Sequence, residues 1–529
     1  MVYGGKPSTG CHLCRKRKIK CDEGQPGCRN CSVYGKPCPG YRSDTIFRNE
    51  THKVEKLVRK NSSFPPSDIQ PQTGGQMITW KIPETSQSVA AARTGTSTDT
   101  GSQQEPSLSL YKVADSTWEE RAICYFFDQY TTYDGTNSGL TIGISHLGFL
   151  PSLYTFCREQ ESQEGSASFC LREAVDATAF MALGNESKVP SLTVKARSNY
   201  GKALRGLRQA LESRTQAVKD ESLATLALLS LFEDIAGERN GLSSSHRAGF
   251  ELLMKLRGAS QFGYQRGRDL FNFAYTHTHS EILALGEKPR FSTDWIVEGL
   301  DTSDPVHRLI SAASKVSQIF MEATSAQAAP ENVDAVQLFT WIDTGTALDS
   351  ELSEWSQTLP NEWLPLVVHG PTGEPLITYQ ILFLSVVWNF YRAIRIVLQR
   401  LMLELRRIRA LFLGPFPDDD AVLEVIQDMI ADVCRSIPFS LGDIDTLGNP
   451  PTPLEGGKPR IRAFHGYSLL WPLWYVLACG LATPEQTQLI RDALMRVGFA
   501  LGVKMALKLA EFTPGDLGFQ FETPLESFL

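Results

Sequence analysis

Six of the chain's eleven cysteines fall within 28 residues, at Cys11, Cys14, Cys21, Cys28, Cys31 and Cys38. The unit Cys-x2-Cys-x6-Cys occurs twice, and a shift of 17 positions carries the first three cysteines onto the last three. Met1 to Gly10 holds no apolar run of the kind a secretory signal needs, so a reducing compartment is expected and a disulfide framework is not. Thiolate ligation of a soft metal is the chemistry that remains. Tetrahedral zinc takes four ligands, so two ions need eight, and six sulfurs supply eight only if two of them bridge. The internal repeat points to Cys11 and Cys28 as the bridges, with Cys14 and Cys21 completing one Zn²⁺ site and Cys31 and Cys38 the other. His12, one residue out of register, is expected to face solvent or phosphate. A segment this small cannot fold by apolar burial alone, so zinc should supply its folding energy.

The two halves differ in what fills their gaps. Arg15, Lys16, Arg17, Lys18 and Lys20 occupy five of the six positions after Cys14, whereas the gap after Cys31 reads Ser-Val-Tyr-Gly-Lys-Pro with a single cation. The first half should therefore face an anionic partner. Residues 1–60 carry 14 Lys and Arg against 5 Asp and Glu, a balance of +9, which leaves −16 of the chain's −7 to residues 61–529. Two Zn²⁺ and six thiolates together contribute −2, so the loaded head keeps a charge of about +7. A short basic helix fits the DNA major groove, where Arg and Lys donate to guanine O6 and N7. A nuclear-import signal could use the same cations.

Cys11-His-Leu-Cys14-Arg-Lys-Arg-Lys-Ile-Lys-Cys21-Asp resembles the fungal Zn₂Cys₆ binuclear-cluster transcription factors at every cysteine. That resemblance implies a nuclear protein that recruits the transcription machinery and reads CGG-type half-sites in double-stranded DNA. By position it implies base reading by Arg17 and Lys18, with Arg15 and Lys20 on phosphates and Lys16 beside them. Pro26 sits where the family has a loop proline, while Gly24 and Gly27 loosen that loop.

Many family members dimerise just after the cluster. Ile46, Lys53 and Lys60 share one heptad position, and Val54, Leu57 and Val58 give one apolar turn before Asn61 and Pro65 end it. Residues 46–60 are thus a short helix and a candidate homodimer element, although sustained coiled coils need three or four heptads. Residues 61–110, rich in Ser, Thr, Gln, Pro and Gly, read as a disordered linker.

From Tyr111 the apolar spacing is helical. Trp118, Ala122, Ile123, Phe126, Phe127 and Tyr130 share a face, as do Tyr200, Ala203, Leu204, Leu207 and Leu211. Leu223 to Phe232 is apolar all round and must be internal. Further helices are predicted at His246 to Arg257, stopped by Gly258, and at Leu489 to Phe512, stopped by Pro514 and Gly515. Asp418 to Asp420 read as a helix start, where acids suit the dipole. Gly466 to Pro484 reads as a buried helix and Ile381 to Leu405, with Arg392, Arg395 and Arg400, as soluble core, so no membrane span is expected. No strand run stands out. Tyr200-Gly-Lys-Ala-Leu, Leu226 to Glu233, His246-Arg-Ala-Gly and Leu256-Arg-Gly resemble, in that order, the helical regulatory domain of one fungal subgroup.

The expected architecture is a small Zn₂Cys₆ cluster (1–45), the short helix (46–60), the linker (61–110) and a large all-α regulatory domain (111–529). The phosphate-loop, nucleotide-fold, serine-hydrolase and zinc-protease motifs are absent from the sequence, so no enzyme is expected. His277 and His279 are expected at the surface. Cys124, Cys157, Cys170, Cys434 and Cys479 are expected as buried structural thiols. The tail from Pro514, acidic and apolar, reads either as a docked coil or as a coactivator contact. The expected function is transcription regulation of a metabolic or biosynthetic pathway, with a zinc-dependent protein-interaction scaffold that never touches DNA as the alternative.

Overall fold

The computed structural model describes residues 10–24, 27–36, 38–39, 117–131, 147–160, 163–292, 294–326, 335–370, 373–413, 419–450 and 462–512. Pro26, the 46–60 helix, the 61–110 linker, Asp418 and the tail from Pro514 lie outside these residues. The chain divides into two compact units, Met1–Pro106 and Ser107–Leu529.

In the first unit, α1 (His12–Lys16) and α2 (Arg29–Val33) are the two helical turns of the repeat. Each begins at a cysteine that caps it: Cys11 Sγ accepts from the Cys14 amide and Cys28 Sγ from the Cys31 amide, both at 3.4 Å. Each also ends in the same Schellman turn. After α1, Lys18 N–H donates to Arg15 O and Ile19 N–H to Cys14 O. After α2, Gly35 N–H donates to Ser32 O and Lys36 N–H to Cys31 O.

In the second unit, α3 (Trp118–Tyr130), α4 (Leu150–Glu159), α5 (Ala167–Ser187), α6 (Pro190–Leu211), α7 (Arg214–Ala217) and α8 (Asp220–Ala236) form one helical group. A capping box at Thr117 and Glu120 starts α3. The predicted internal run is the heart of the group: every residue of α8 from Ser222 to Ala236 is buried. On α6 the predicted face is only half right, because Leu204 and Leu211 are exposed while Ala203 and Leu207 are buried. Cys124 is likewise exposed on α3, whereas Cys157, Cys170, Cys434 and Cys479 are buried.

Next come α9 (Arg247–Arg257), stopped as predicted at Gly258, then α10 (Gln265–Leu285), α11 (Asp294–Gly299), α12 (Pro305–Ala326) and α13 (Ala335–Gln357). The core continues through α14 (Leu382–Leu413), α15 (Asp419–Ser440), α16 (Ala463–Tyr467), α17 (Leu470–Cys479), α18 (Pro484–Ala500) and α19 (Met505–Ala510). Three arginines of α14 that the sequence placed in the core are paired: Arg392 with Tyr379 and Asp432, Arg395 with Asp349, and Arg400 with Glu404. Among the described residues no helix is long and apolar enough to cross a membrane.

Three elements differ from expectation. Leu366–His369 (β1) and Pro375–Thr378 (β2) pair antiparallel, from Leu366 with Thr378 to His369 with Pro375. Strands of four residues are too short for their alternation to stand out from a helical background. The helix expected over Leu489 to Phe512 is two, because Gly502 adopts a left-handed φ of 71° and its carbonyl accepts from Asn185 Nδ2. The single buried helix expected over Gly466 to Pro484 is the pair α16 and α17, broken at Ser468 and Leu469.

His277 and His279 are buried at 6% and 5% exposure, not at the surface. Two positions along a helix differ by about 200°, so the two rings leave opposite faces of α10, and both faces are covered. His279 Nε2 donates to Ala313 O at 2.9 Å, while His277 Nε2 accepts from Arg239 Nη2 at 2.7 Å. Arg239, wholly buried, also meets Asp234 Oδ2 at 3.1 Å and Glu281 Oε2 at 3.0 Å. Tyr467 donates to Asp234 Oδ2 at 3.0 Å, and Tyr200 pairs with His246 Nε2 at 2.9 Å beside Glu233. Burial holds the His246 and His277 rings below their ordinary pKa, so both stay neutral beside the Arg239 cation.

Candidate metal centre and nucleic-acid interface

The two helical turns bring all six cysteines together. The Sγ atoms of Cys11, Cys14, Cys21 and Cys28 lie within 4.8 Å of one another, and so do those of Cys11, Cys28, Cys31 and Cys38. Cys11 and Cys28 belong to both groups and stand 3.6 Å apart. Cys11 is 3.5 Å from Cys31, and Cys14 is 3.6 Å from Cys28. Tetrahedral zinc with Zn–S bonds of about 2.3 Å sets its sulfurs about 3.8 Å apart, so these separations suit two tetrahedra sharing an edge. Amides also point at the sulfurs: besides the two caps, Cys11 N–H donates to Cys21 Sγ at 3.4 Å. Such donors stabilise thiolate. That of Cys11 helps pull Cys21 down to about 7, while burial and the neighbouring thiols push Cys14 up to about 12. His12 is exposed and belongs to neither sulfur group.

Around this centre Arg15, Lys16, Lys18 and Lys20 are exposed and Arg17 is half-buried. The helix is shorter than the basic run. Arg17 is its C-cap, and Lys18 follows in the left-handed region at φ 55°. The reason is the Schellman turn, which requires that conformation one residue past the C-cap. The second half is tied to the first by side chains its composition did not advertise. Asn30 Nδ2 donates to Lys20 O at 2.8 Å, and Arg29 N–H donates to Asp22 Oδ2 at 2.9 Å, which holds the Asp22 carboxyl below its ordinary range. The Arg17 guanidinium lies 3.5 Å from the centre of the Tyr34 ring.

Residues 9–45 match the fungal Zn(2)-Cys(6) binuclear cluster domain, and residues 157–406 match the fungal specific transcription factor domain. The chain belongs to the fungal binuclear-cluster transcription factors. Proteins of this family are transcription factors rather than enzymes, and their cluster domain binds two zinc ions. The transcription factor dbaG of Emericella nidulans is 23% identical over 420 residues, which cover 75% of this chain and 93% of that protein. Sterol uptake control protein 2 of Saccharomyces cerevisiae is 34% identical over 80 residues, 13% of this chain and 9% of that protein. The aspercryptin biosynthesis cluster-specific transcription regulator atnN of Emericella nidulans is 49% identical over 59 residues, 11% of this chain and 10% of that protein. No solved structure matches the chain. Within residues 157–406 of this binuclear-cluster factor, Tyr200, Glu233 and His246 come from three separate sequence motifs and meet in one buried polar cluster.

Proposed function

We propose that this chain is a nuclear, sequence-specific DNA-binding regulator of RNA polymerase II transcription. Cys11 and Cys28 bridge two Zn²⁺, Cys14 and Cys21 complete one site, and Cys31 and Cys38 complete the other. Arg15, Lys16, Arg17, Lys18 and Lys20 form the DNA face. Arg17 and Lys18 read a CGG-type half-site, and the flanking cations meet phosphates. Residues 1–45 are the DNA-binding domain, and 111–529 are the domain that controls it and contacts the transcription machinery. Residues 46–60 offer a homodimer contact that sets half-site spacing.

The observation that carries this reading is the exposure of Arg15, Lys16, Lys18 and Lys20 on a short stretch whose two ends, Cys14 and Cys21, belong to one sulfur group. A flexible basic tail attracts phosphate equally well, but only a rigid one can hold donors in register with base edges. A pathway-specific role, in metabolism or in biosynthesis, is supported by the similarity to regulators of sterol uptake and of aspercryptin biosynthesis.

The test is fluorescence anisotropy of the zinc-loaded full chain on duplexes with and without CGG half-sites. Arg17→Ala or Lys18→Ala should each weaken binding to the CGG duplex by about 1 to 3 kcal/mol and reduce discrimination against the other. Equal affinity of the variants and the parent for the CGG duplex would instead support the protein-interaction scaffold.

A further inference from the structure

The second gap of the repeat contains a large aromatic side chain that the zinc sites do not need. Tyr34 is 49% exposed, so apolar burial does not explain it. Its position does. A shift of 17 carries Arg17 onto Tyr34, and the two residues are the C-caps of α1 and α2. The pseudo-twofold repeat thus turns the two helix ends toward each other, and the Arg17 guanidinium stacks over the ring at 3.5 Å. Lys36, the lone cation of the second gap, is 5.8 Å from the same ring.

From this geometry we propose that Tyr34 is a positioning residue for sequence reading: its ring holds the Arg17 guanidinium in the orientation from which it donates to a base edge. The inference rests on the reading of Arg17 as a base-contacting residue. Stacking engages the π face of a guanidinium and leaves the N–H fork in its plane available. A fork held in this way can meet guanine O6 and N7 together without first giving up its rotamer freedom. Among the described residues no hydrogen-bond acceptor engages that fork. The ring is itself held, by the Schellman turn through Gly35 and by the Asn30 and Asp22 tethers between the halves. A lysine at position 17 would carry the charge but not the plane, so the device is specific to arginine.

The test uses the zinc-loaded full chain, CGG and scrambled duplexes, and the variants Tyr34→Leu, Tyr34→Phe, Arg17→Ala and Tyr34→Leu/Arg17→Ala. Tyr34→Leu should weaken CGG binding about 2- to 5-fold, the range of one exposed cation–π contact, with zinc content and affinity for the scrambled duplex unchanged. Tyr34→Phe should bind like the parent, and Tyr34→Leu should have no further effect once Arg17 is Ala. A loss that persists in the Arg17→Ala background, or that Phe does not rescue, overturns the proposal. Should Tyr34→Leu shed zinc, the unmutated protein decides by NMR. Stacking requires upfield ring-current shifts of the Arg17 side-chain protons relative to those of Arg15, and their absence overturns the proposal. If Arg17→Ala leaves CGG binding intact while those shifts are present, the base-reading role fails and the stacked geometry stands.

Discussion

Replacing Lys18 with glycine should move stability and DNA affinity in opposite directions. Lys18 sits at φ 55° in the Schellman turn after α1, where its equivalent after α2 is Gly35 at φ 70°. The left-handed conformation costs a residue with a Cβ about 1 kcal/mol relative to glycine. Because a cluster this small folds only with its metal, that energy belongs to zinc retention, and 1 kcal/mol is about a fivefold change. Lys18→Gly should therefore hold zinc about fivefold more tightly against a chromophoric chelator, while losing about 1 to 3 kcal/mol of binding to a CGG duplex. Lys18→Ala removes the same cation but keeps the strain, so its DNA loss should match and its zinc retention should equal the parent's. Gly35→Ala is the converse perturbation. The added Cβ meets nothing within 4 Å, so the cost is conformational alone, again about 1 kcal/mol or a fivefold weaker grip on zinc. Weaker zinc retention in Lys18→Gly, or unchanged retention in Gly35→Ala, would refute the coupling of turn strain to metal binding.

Two further outcomes concern the helical unit. Arg239→Met leaves Asp234 buried without its cation and Glu281 with Arg247 alone, so urea denaturation should show a loss of about 3 to 5 kcal/mol, and an unchanged midpoint would be inconsistent with the network. His279, pushed down to about 4 by burial, takes no proton in the folded state near pH 5, while the unfolded chain's histidine takes one below about 6.5. Its contribution is thus present above pH 6.5 and lost as pH falls toward 4. Stability curves of the parent and His279→Gln should converge by about 2 kcal/mol between pH 7.5 and 5, and parallel curves would argue against a buried neutral ring.

The pseudo-repeat does more than supply six sulfurs. Both halves use the same capping amide, the same helical turn and the same terminal hydrogen bonds, so a difference between the halves reports function rather than folding. Three such differences stand out: Lys18 where a glycine would relieve the turn, Arg17 where its equivalent is aromatic, and a run of cations where its equivalent is nearly neutral. The strained lysine is the most telling. A residue that costs stability at a position where the other half has the relaxed alternative needs a compensating role, and the exposed cation beside the metal centre supplies one.

How far each feature could be read from the sequence follows from the range of the contacts that define it. The sulfur cluster was legible because its ligands are local: capping, helix and turn all span fewer than seven residues, and the 17-residue repeat prints their register twice. The internal helix α8 was legible because a run of apolar residues on every side has only one place to go. The histidines of α10 were not. Their partners, Arg239 and Ala313, lie 38 and 34 positions away, and no local pattern distinguishes a polar residue that has found a buried partner from one that faces water. The same limit hid the role of Tyr34. Its ring meets Arg17 across 17 residues, and only the repeat, read as a symmetry of position rather than of composition, puts the two helix ends face to face. Where a chain repeats itself, the residues that break the repeat at matched positions are therefore the ones to examine as a pair.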